Sequence, residues 1–162
     1  MIALTDSQPD ALGPDLGALL ARVLPRLAEL EAPALEAAGL SMWEYAILTE
    51  LATGQAISQR QLSQRVRRDP TRLGRHLDDL EERGLVERVL GDDKRQRTVR
   101  LTRRGQRSFQ QAKQQIQLIE DALLTGPFTP SQAKNLRSML EQLAVACSAS
   151  PPGTTTATQP DK

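Results

Sequence analysis

Five basic side chains stand where their type and spacing could grip a polyanion: Arg72 and Arg75 in DPTRLGRHLDDLEE, and Lys94, Arg95 and Arg97 in GDDKRQR. A guanidinium offers a planar fork of N–H donors that matches a phosphate or the acceptor edge of guanine. Holding such forks in register is the chemistry of recognition. Bond-making chemistry has little to work with, since the chain contains one histidine, His76, and one cysteine, Cys147. It has no glycine-rich phosphate loop, no metal-ligand spacing and no converging acid, base and nucleophile, so no enzyme and no cofactor is expected. A single cysteine also excludes an intrachain disulfide framework and an all-cysteine zinc site.

Charge is distributed unevenly around these arginines. The 162 residues carry a net charge of only +1. Residues 58 to 107 nevertheless hold 15 of the 21 Lys and Arg against 8 of the 20 acids, a local balance of +7, and the rest of the chain stands at −6. A compact basic block on a slightly acidic scaffold fits a module that faces a polyanion. Aromatics make up 2% of the chain, so the core must be built of Leu, Val and Ala. No run approaches the roughly 18 apolar residues of a membrane span, and the start lacks a basic-then-apolar signal. No membrane partner is expected, and the expected location is the cytoplasm.

The elements that must position the arginines are mostly helical. Residues 1 to 11 lack periodicity and are expected to be flexible, and residues 149 to 162 form a Pro/Thr-rich tail expected to be disordered. A first helix should start near Pro14 and carry a leucine stripe from Leu16 to Leu30, with Pro25 kinking it and Gly39 ending it. SMWE at Ser41–Glu44 and SQRQ at Ser58–Gln61 are capping boxes, the second opening a short helix to about Val66. Asp69 reads as an N-cap and Pro70 as the first residue of a helix that faces the core through Leu73, Leu77 and Leu80. Gly84 should end that helix with a left-handed cap. After Gly84, LVERVL and TVRL alternate as strands around a polar turn, which predicts a β-hairpin. Thr102 then caps a long helix bearing Phe109, Ala112, Ile116, Ile119 and Leu123. TPSQ at Thr129–Gln132 caps a last helix with Leu136, Met139, Leu140, Leu143 and Cys147 on one face.

Helix, short helix, turn, helix and hairpin, over residues 40 to 102, is the order of a winged helix-turn-helix. With the leucines turned inward, Thr71 and Arg75 point the other way at 100° per residue, flanked by Arg72 and Gly74. These are the first turns of a helix that enters a major groove, where an arginine can fork onto guanine and the Thr71 methyl can meet that of thymine. Gly74 permits close approach. Asp78, Asp79, Glu81 and Glu82 come later, where the helix leaves the groove. Lys94, Arg95 and Arg97 tip the hairpin, within reach of phosphates or a narrow minor groove. Ser58, at the cap of the short helix, completes the DNA-facing set. The partner so implied is double-stranded DNA.

LSMWEYAILTELA, ISQRQLSQRV, DPTRLGRHLDDLEERGLVER and DDKRQRTVRLTRRG resemble successive blocks of the MarR (multiple antibiotic resistance regulator) transcription factors. The most specific piece is Asp93-x-Arg95 followed by Leu101-Thr102 and Gly105. The resemblance is close over residues 40 to 105 and extends to the flanking helices in layout. It implies a mainly α fold with a small β-hairpin wing, in which N-terminal (12–39) and C-terminal (103–148) dimerisation helices flank the DNA-binding lobe. It implies Arg95 near the minor groove, Asp93 bracing the wing against the DNA-reading helix, and a repressor released by a small anionic or phenolic effector. His76 departs from it, standing where the family usually has an apolar residue.

A homodimer is also expected on independent grounds, because a winged helix of some 60 residues cannot bury the stripes at 16–30 and 136–147. Two-fold pairing would suit a pseudo-palindromic operator. Other residues have two readings. Trp43 and Tyr45 either line an effector pocket or pack in the core, the latter favoured for Trp43. Arg22 and Arg26 either hold an effector carboxylate or pair on the surface with Glu29. Cys147, on an apolar stripe, reads as a buried inert thiol rather than a redox sensor, and His76 as a hydrogen-bonded boundary residue rather than a base or metal contact. The rival function is a winged helix that binds protein, against which stand arginines on both groove face and wing.

Overall fold

The computed structural model describes residues 13–54, 56–90 and 97–149. Six helices and three short strands follow in the order α1 (Leu16–Ala37), α2 (Met42–Leu51), β1 (Ile57–Ser58), α3 (Gln59–Arg65), α4 (Pro70–Glu82), β2 (Val86–Leu90), β3 (Arg97–Leu101), α5 (Arg103–Thr125) and α6 (Pro130–Ala149). None of the described helices is long and apolar enough to cross a membrane.

Local chemistry sets most of these boundaries. The first helix starts at Leu16 rather than Pro14, because the Asp15 carboxylate accepts from the Ala18 amide at 2.8 Å and takes the capping position. Pro14 is thereby left outside. The helix then runs through Pro25 and Pro33 to Ala37. It ends as Gly39 turns into the left-handed region at φ 66° and the Leu40 amide reaches back to the Leu35 carbonyl at 2.9 Å. Only glycine adopts that conformation without a steric penalty. The capping boxes at Ser41–Glu44 and Ser58–Gln61 both form, and Asp69 and Pro70 open α4 in the expected roles.

Leu73, Leu77 and Leu80 of α4 lie wholly buried with Ile47, Leu48 and Leu51 of α2, Leu62 of α3 and Val99 of β3. Phe109, Ala112 and Ile116 of α5 and Leu35 of α1 join the same cluster. At 25 cal/mol per Å² of apolar surface, each such leucine contributes about 1.5–3 kcal/mol, so the leucine face fixes the rotation of α4.

β2 and β3 form the expected hairpin, with Val86 opposite Leu101 and Arg88 opposite Val99. A third strand was not expected. Ile57 and Ser58 pair antiparallel with Val99 and Thr98, which makes the sheet order β1-β3-β2. Two residues are too few for an alternating pattern, and the pairing is long-range, so local sequence carries no sign of it. α5 is locked to the sheet at Gly105, where a Cβ would sit 1.8 Å from the Leu85 carbonyl oxygen. Only glycine fits there.

Candidate nucleic-acid interface

The start of α4, where the arginines stand, is built by its cap. The Asp69 carboxylate accepts from the amides of Thr71 at 3.0 Å and Arg72 at 3.1 Å, satisfying donors that the helix itself leaves free. Thr71, Arg72 and Arg75 are exposed on the side opposite the buried leucines. Neither arginine pairs with a carboxylate among the described residues, whereas Arg65, Arg83, Arg88, Arg100 and Arg137 all do. Two unneutralised guanidinium groups at the start of one helix are what an anionic surface would meet first. Gly74 is half-buried, and a Cβ there would make an ordinary 3.6 Å contact with Gln59, so packing within the chain does not demand glycine.

Ser58 plays a supporting part. Its Oγ accepts from the Gln61 amide at 3.2 Å and donates to the Gln61 side chain at 3.0 Å, so the hydroxyl is engaged in holding the first turn of α3. The turn from α3 to α4 is held as firmly. Arg67 adopts φ 49°, while the Ser63 hydroxyl donates to the Arg68 carbonyl at 2.7 Å and the Arg68 amide donates to the Ser63 carbonyl at 3.0 Å. Arg67 also donates from Nη2 to the Cys147 carbonyl of α6 at 3.0 Å, tying the end of the last helix to this turn.

Asp93, Lys94 and Arg95 lie outside the described residues, as does the side chain of Arg97. The base of the wing is within them, and it contains a brace that sequence reasoning missed. Arg88 of β2 donates from Nη2 to Asp78 at 2.6 Å and, over 3.5 Å, to the Gly74 carbonyl. Its Nη1 pairs with Glu81, whose other oxygen accepts from the Arg88 amide at 3.1 Å. Burial works to lower the pKa of this guanidinium, but the hydrogen bonds and charges of Asp78 and Glu81 outweigh it and raise the value. Arg88 therefore stays ionised while clamping the base of the wing to α4. Asp78 and Glu81 thus have a structural task in holding Arg88. A signal was present: in VERV the period of two puts Arg88 on the same inward face as Val86, and a charge there needs counter-charges.

A second clamp works at the other end of α4. Arg83 donates to the Gly39 carbonyl at 2.6 Å and pairs with the buried carboxylate of Glu44, joining α4 to the corner between α1 and α2. Glu44 also accepts from the Ser41 amide at 2.7 Å, so its buried charge is well satisfied.

The four effector candidates do not converge within one chain. Arg22 is exposed, and Arg26 pairs with Glu29 at 3.0 Å with both side chains about two-thirds exposed. Trp43 is not a core residue: it is 40% exposed and carries the Arg68 guanidinium 3.9 Å above its ring. Its place on α2 turns it towards the helix-turn-helix corner, where a flat arginine covers it instead of the core. Tyr45 is half-buried, with its ring 5.5 Å from that of Phe109. Burial raises the Tyr45 phenol above its ordinary value, and the carboxylates of Glu120 and Glu31 raise it further.

Two other expectations need correction. Cys147 is exposed, because no described residue covers that face of α6. His76 is half-buried but makes no hydrogen bond to a described residue.

A leucine-anchored helix with free arginines at its start, a braced hairpin beside it and a tight turn before it define a winged helix-turn-helix that presents a cationic face. The family model described as MarR family matches residues 38–96. A MarR family transcriptional regulator from Rhodococcus sp. RHA1 is similar at 30% identity with a TM-score of 0.73, over 84% of this chain and 96% of that one. CouR from Rhodococcus jostii RHA1, in a structure bound to p-coumaroyl-CoA, is 30% identical with a TM-score of 0.67, over 83% and 94% of the two chains. A Mycobacterium tuberculosis MarR family protein in complex with DNA is 27% identical with a TM-score of 0.69, over 81% and 98%. Among curated proteins, none matches the chain. The chain belongs to the MarR family of DNA-binding transcription regulators.

Proposed function

We propose that the protein is a homodimeric, sequence-specific repressor that reads a pseudo-palindromic operator and leaves it when a small effector binds. The observation that carries the DNA reading is the exposed, unpaired set Thr71, Arg72 and Arg75 at the capped start of α4. Arg75 reads a base edge, Arg72 and the wing residues Lys94, Arg95 and Arg97 hold backbone or minor groove, and Gly74 allows close approach. Ser58 fixes the neighbouring helix start, and Asp93 adds to the bracing that Arg88 supplies. A related protein crystallised with DNA supports this use of the fold.

Dimerisation rests on the flanking helices. Leu16, Leu19, Val23 and Leu24 of α1 and Met139, Leu140, Leu143 and Val145 of α6 are exposed in the single chain. Apolar faces of that extent in a protein of this size belong at an interface. Effector release is the third part of the reading. It draws on relatives seen with p-coumaroyl-CoA, and with salicylic acid in another M. tuberculosis family structure, and on Arg22, Arg26, Trp43 and Tyr45 as residues that pairing could bring together.

The test is a gel shift with mixed genomic DNA at increasing salt. A DNA-binding dimer should shift the DNA at low salt and retain a subset of fragments as salt rises, because non-specific phosphate contacts weaken first. Absence of any shift at low salt would favour a winged helix that binds protein.

A further inference from the structure

A polar cleft of about 530 Å³ opens where the C-terminal end of α4, the α1–α2 corner and the first turns of α5 meet. Arg104, Arg107, Ser108 and Gln111 line one wall, at the i, i+3, i+4 and i+7 spacing that places them on a single face of α5. Arg83 and Glu82 line the other. Arg83, the C-cap of α4, stands eight positions after Arg75, about 12 Å along the helix axis at 1.5 Å per residue, so the cleft lies away from the start of α4. None of the residues assigned above to DNA reading lines it, and neither do the exposed apolar side chains of α1 and α6.

Both walls are rigid. The α5 wall cannot slide, because Gly105 presses on the Leu85 carbonyl and Thr102 donates to the carbonyls of Gly84 at 2.7 Å and Leu85 at 3.1 Å. The opposite wall is set by the hold of Gly39 and Glu44 on Arg83. The charges are unbalanced: Glu44 neutralises Arg83, but Arg104 and Arg107 pair with no carboxylate among the described residues. Two free guanidinium groups thus face one acid, Glu82, with a hydroxyl and an amide beside them.

We propose that this cleft binds the phosphoryl group of a small metabolite, gripped by Arg104 and Arg107 with Ser108 and Gln111 as further donors. A phosphoryl group offers several acceptor oxygens in the geometry that paired guanidinium forks favour. The volume leaves room for the organic remainder of the ligand. The bound molecule would touch the end of α4 and so connect a metabolite to the helix that reads DNA.

The test is backbone-amide NMR of the full chain titrated with glycerol 3-phosphate at neutral pH and constant ionic strength, the balance made up with chloride. The expected result is saturable shifts at Ser108 and Gln111. The double variant Arg104→Gln/Arg107→Gln should weaken this binding by about tenfold or more while genomic-DNA affinity stays unchanged. Glu82→Gln should tighten it, since an acid is removed from beside the anion. Three outcomes would overturn the proposal: shifts that rise linearly without saturating, saturable shifts that disappear only in Arg72→Gln/Arg75→Gln, or a double variant that loses DNA affinity. The last would make Arg104 and Arg107 contacts to the DNA backbone.

Discussion

The DNA-reading lobe and the flanking helices are built from the same apolar residues and treat them in opposite ways. Leu73, Leu77 and Leu80 are fully buried by their own chain, whereas Leu24 of α1 is 56% and Val145 of α6 64% exposed. The lobe closes its core internally and then stiffens itself with the Arg88 and Arg83 clamps. α1 and α6 leave much of their apolar surface exposed in the single chain. On the proposed reading, one region is stable by its own packing and the other gains stability by association.

Substitution in each region should separate these modes. Leu77→Ala removes fully buried atoms and should cost about 2–5 kcal/mol in denaturant melts, with no dependence on protein concentration. Leu140→Asp should instead abolish the concentration dependence of the melting midpoint and shift sedimentation to a monomer, since a charge cannot enter an apolar interface unpaired. If Leu140→Asp leaves the sedimentation unchanged, α6 is not where the chains meet.

The next effect is smaller and tests the stiffening. Arg88→Met leaves Asp78 and Glu81, which are 71% and 40% exposed, to be solvated by water. Its stability cost should be about 1 kcal/mol or less, while DNA affinity should fall more than that because the wing loses its anchor on α4. Equal losses in stability and affinity would show that Arg88 only supports the fold.

Proton linkage probes the seam between the two regions, where Glu31 of α1 is 7% exposed. Burial raises its carboxyl above the usual 4.5, and the Glu120 charge adds to the rise. With the folded pKa above the unfolded one, the folded chain holds more protons in the window between them. Stability from this group falls as pH rises through that window and stays lower above it. Glu31→Gln should therefore be more stable than the parent at neutral pH, with the gain closing as pH falls to 4.5. The smallest expected effect is that of Arg26→Ala, which removes an exposed i,i+3 pair with Glu29 and should change stability by about 0.5 kcal/mol or less.

How far the sequence revealed this molecule depended on the range of the interaction. Caps and turns such as Ser41–Glu44, Asp69-Pro70 and Gly84 are chemistry between near neighbours, and they were legible. So was the exposed side of α4, because three leucines at helical spacing determine where Arg75 must point. Pairings across the chain were not. β1 is visible only once β3 lies beside it, and the reach of Arg88 to Asp78 crosses a turn and a strand. Trp43 was misjudged for a related reason: an apolar ring on a helix was expected to seek the core, and the arginine that covers it comes from 25 positions further on. The exposure of Cys147 depends on what packs on α6, and no described residue of this chain covers it.

The central claim is that the start of α4 reads bases as one half of a symmetric reader. Selection of bound fragments from random DNA, run in parallel for the parent and Arg75→Ala, tests it most directly. The parent should enrich an inverted repeat. Arg75→Ala should lose preference at one position in each half-site, worth about 1–3 kcal/mol there. Enrichment of no repeat by the parent, or an identical motif from both proteins, would contradict it.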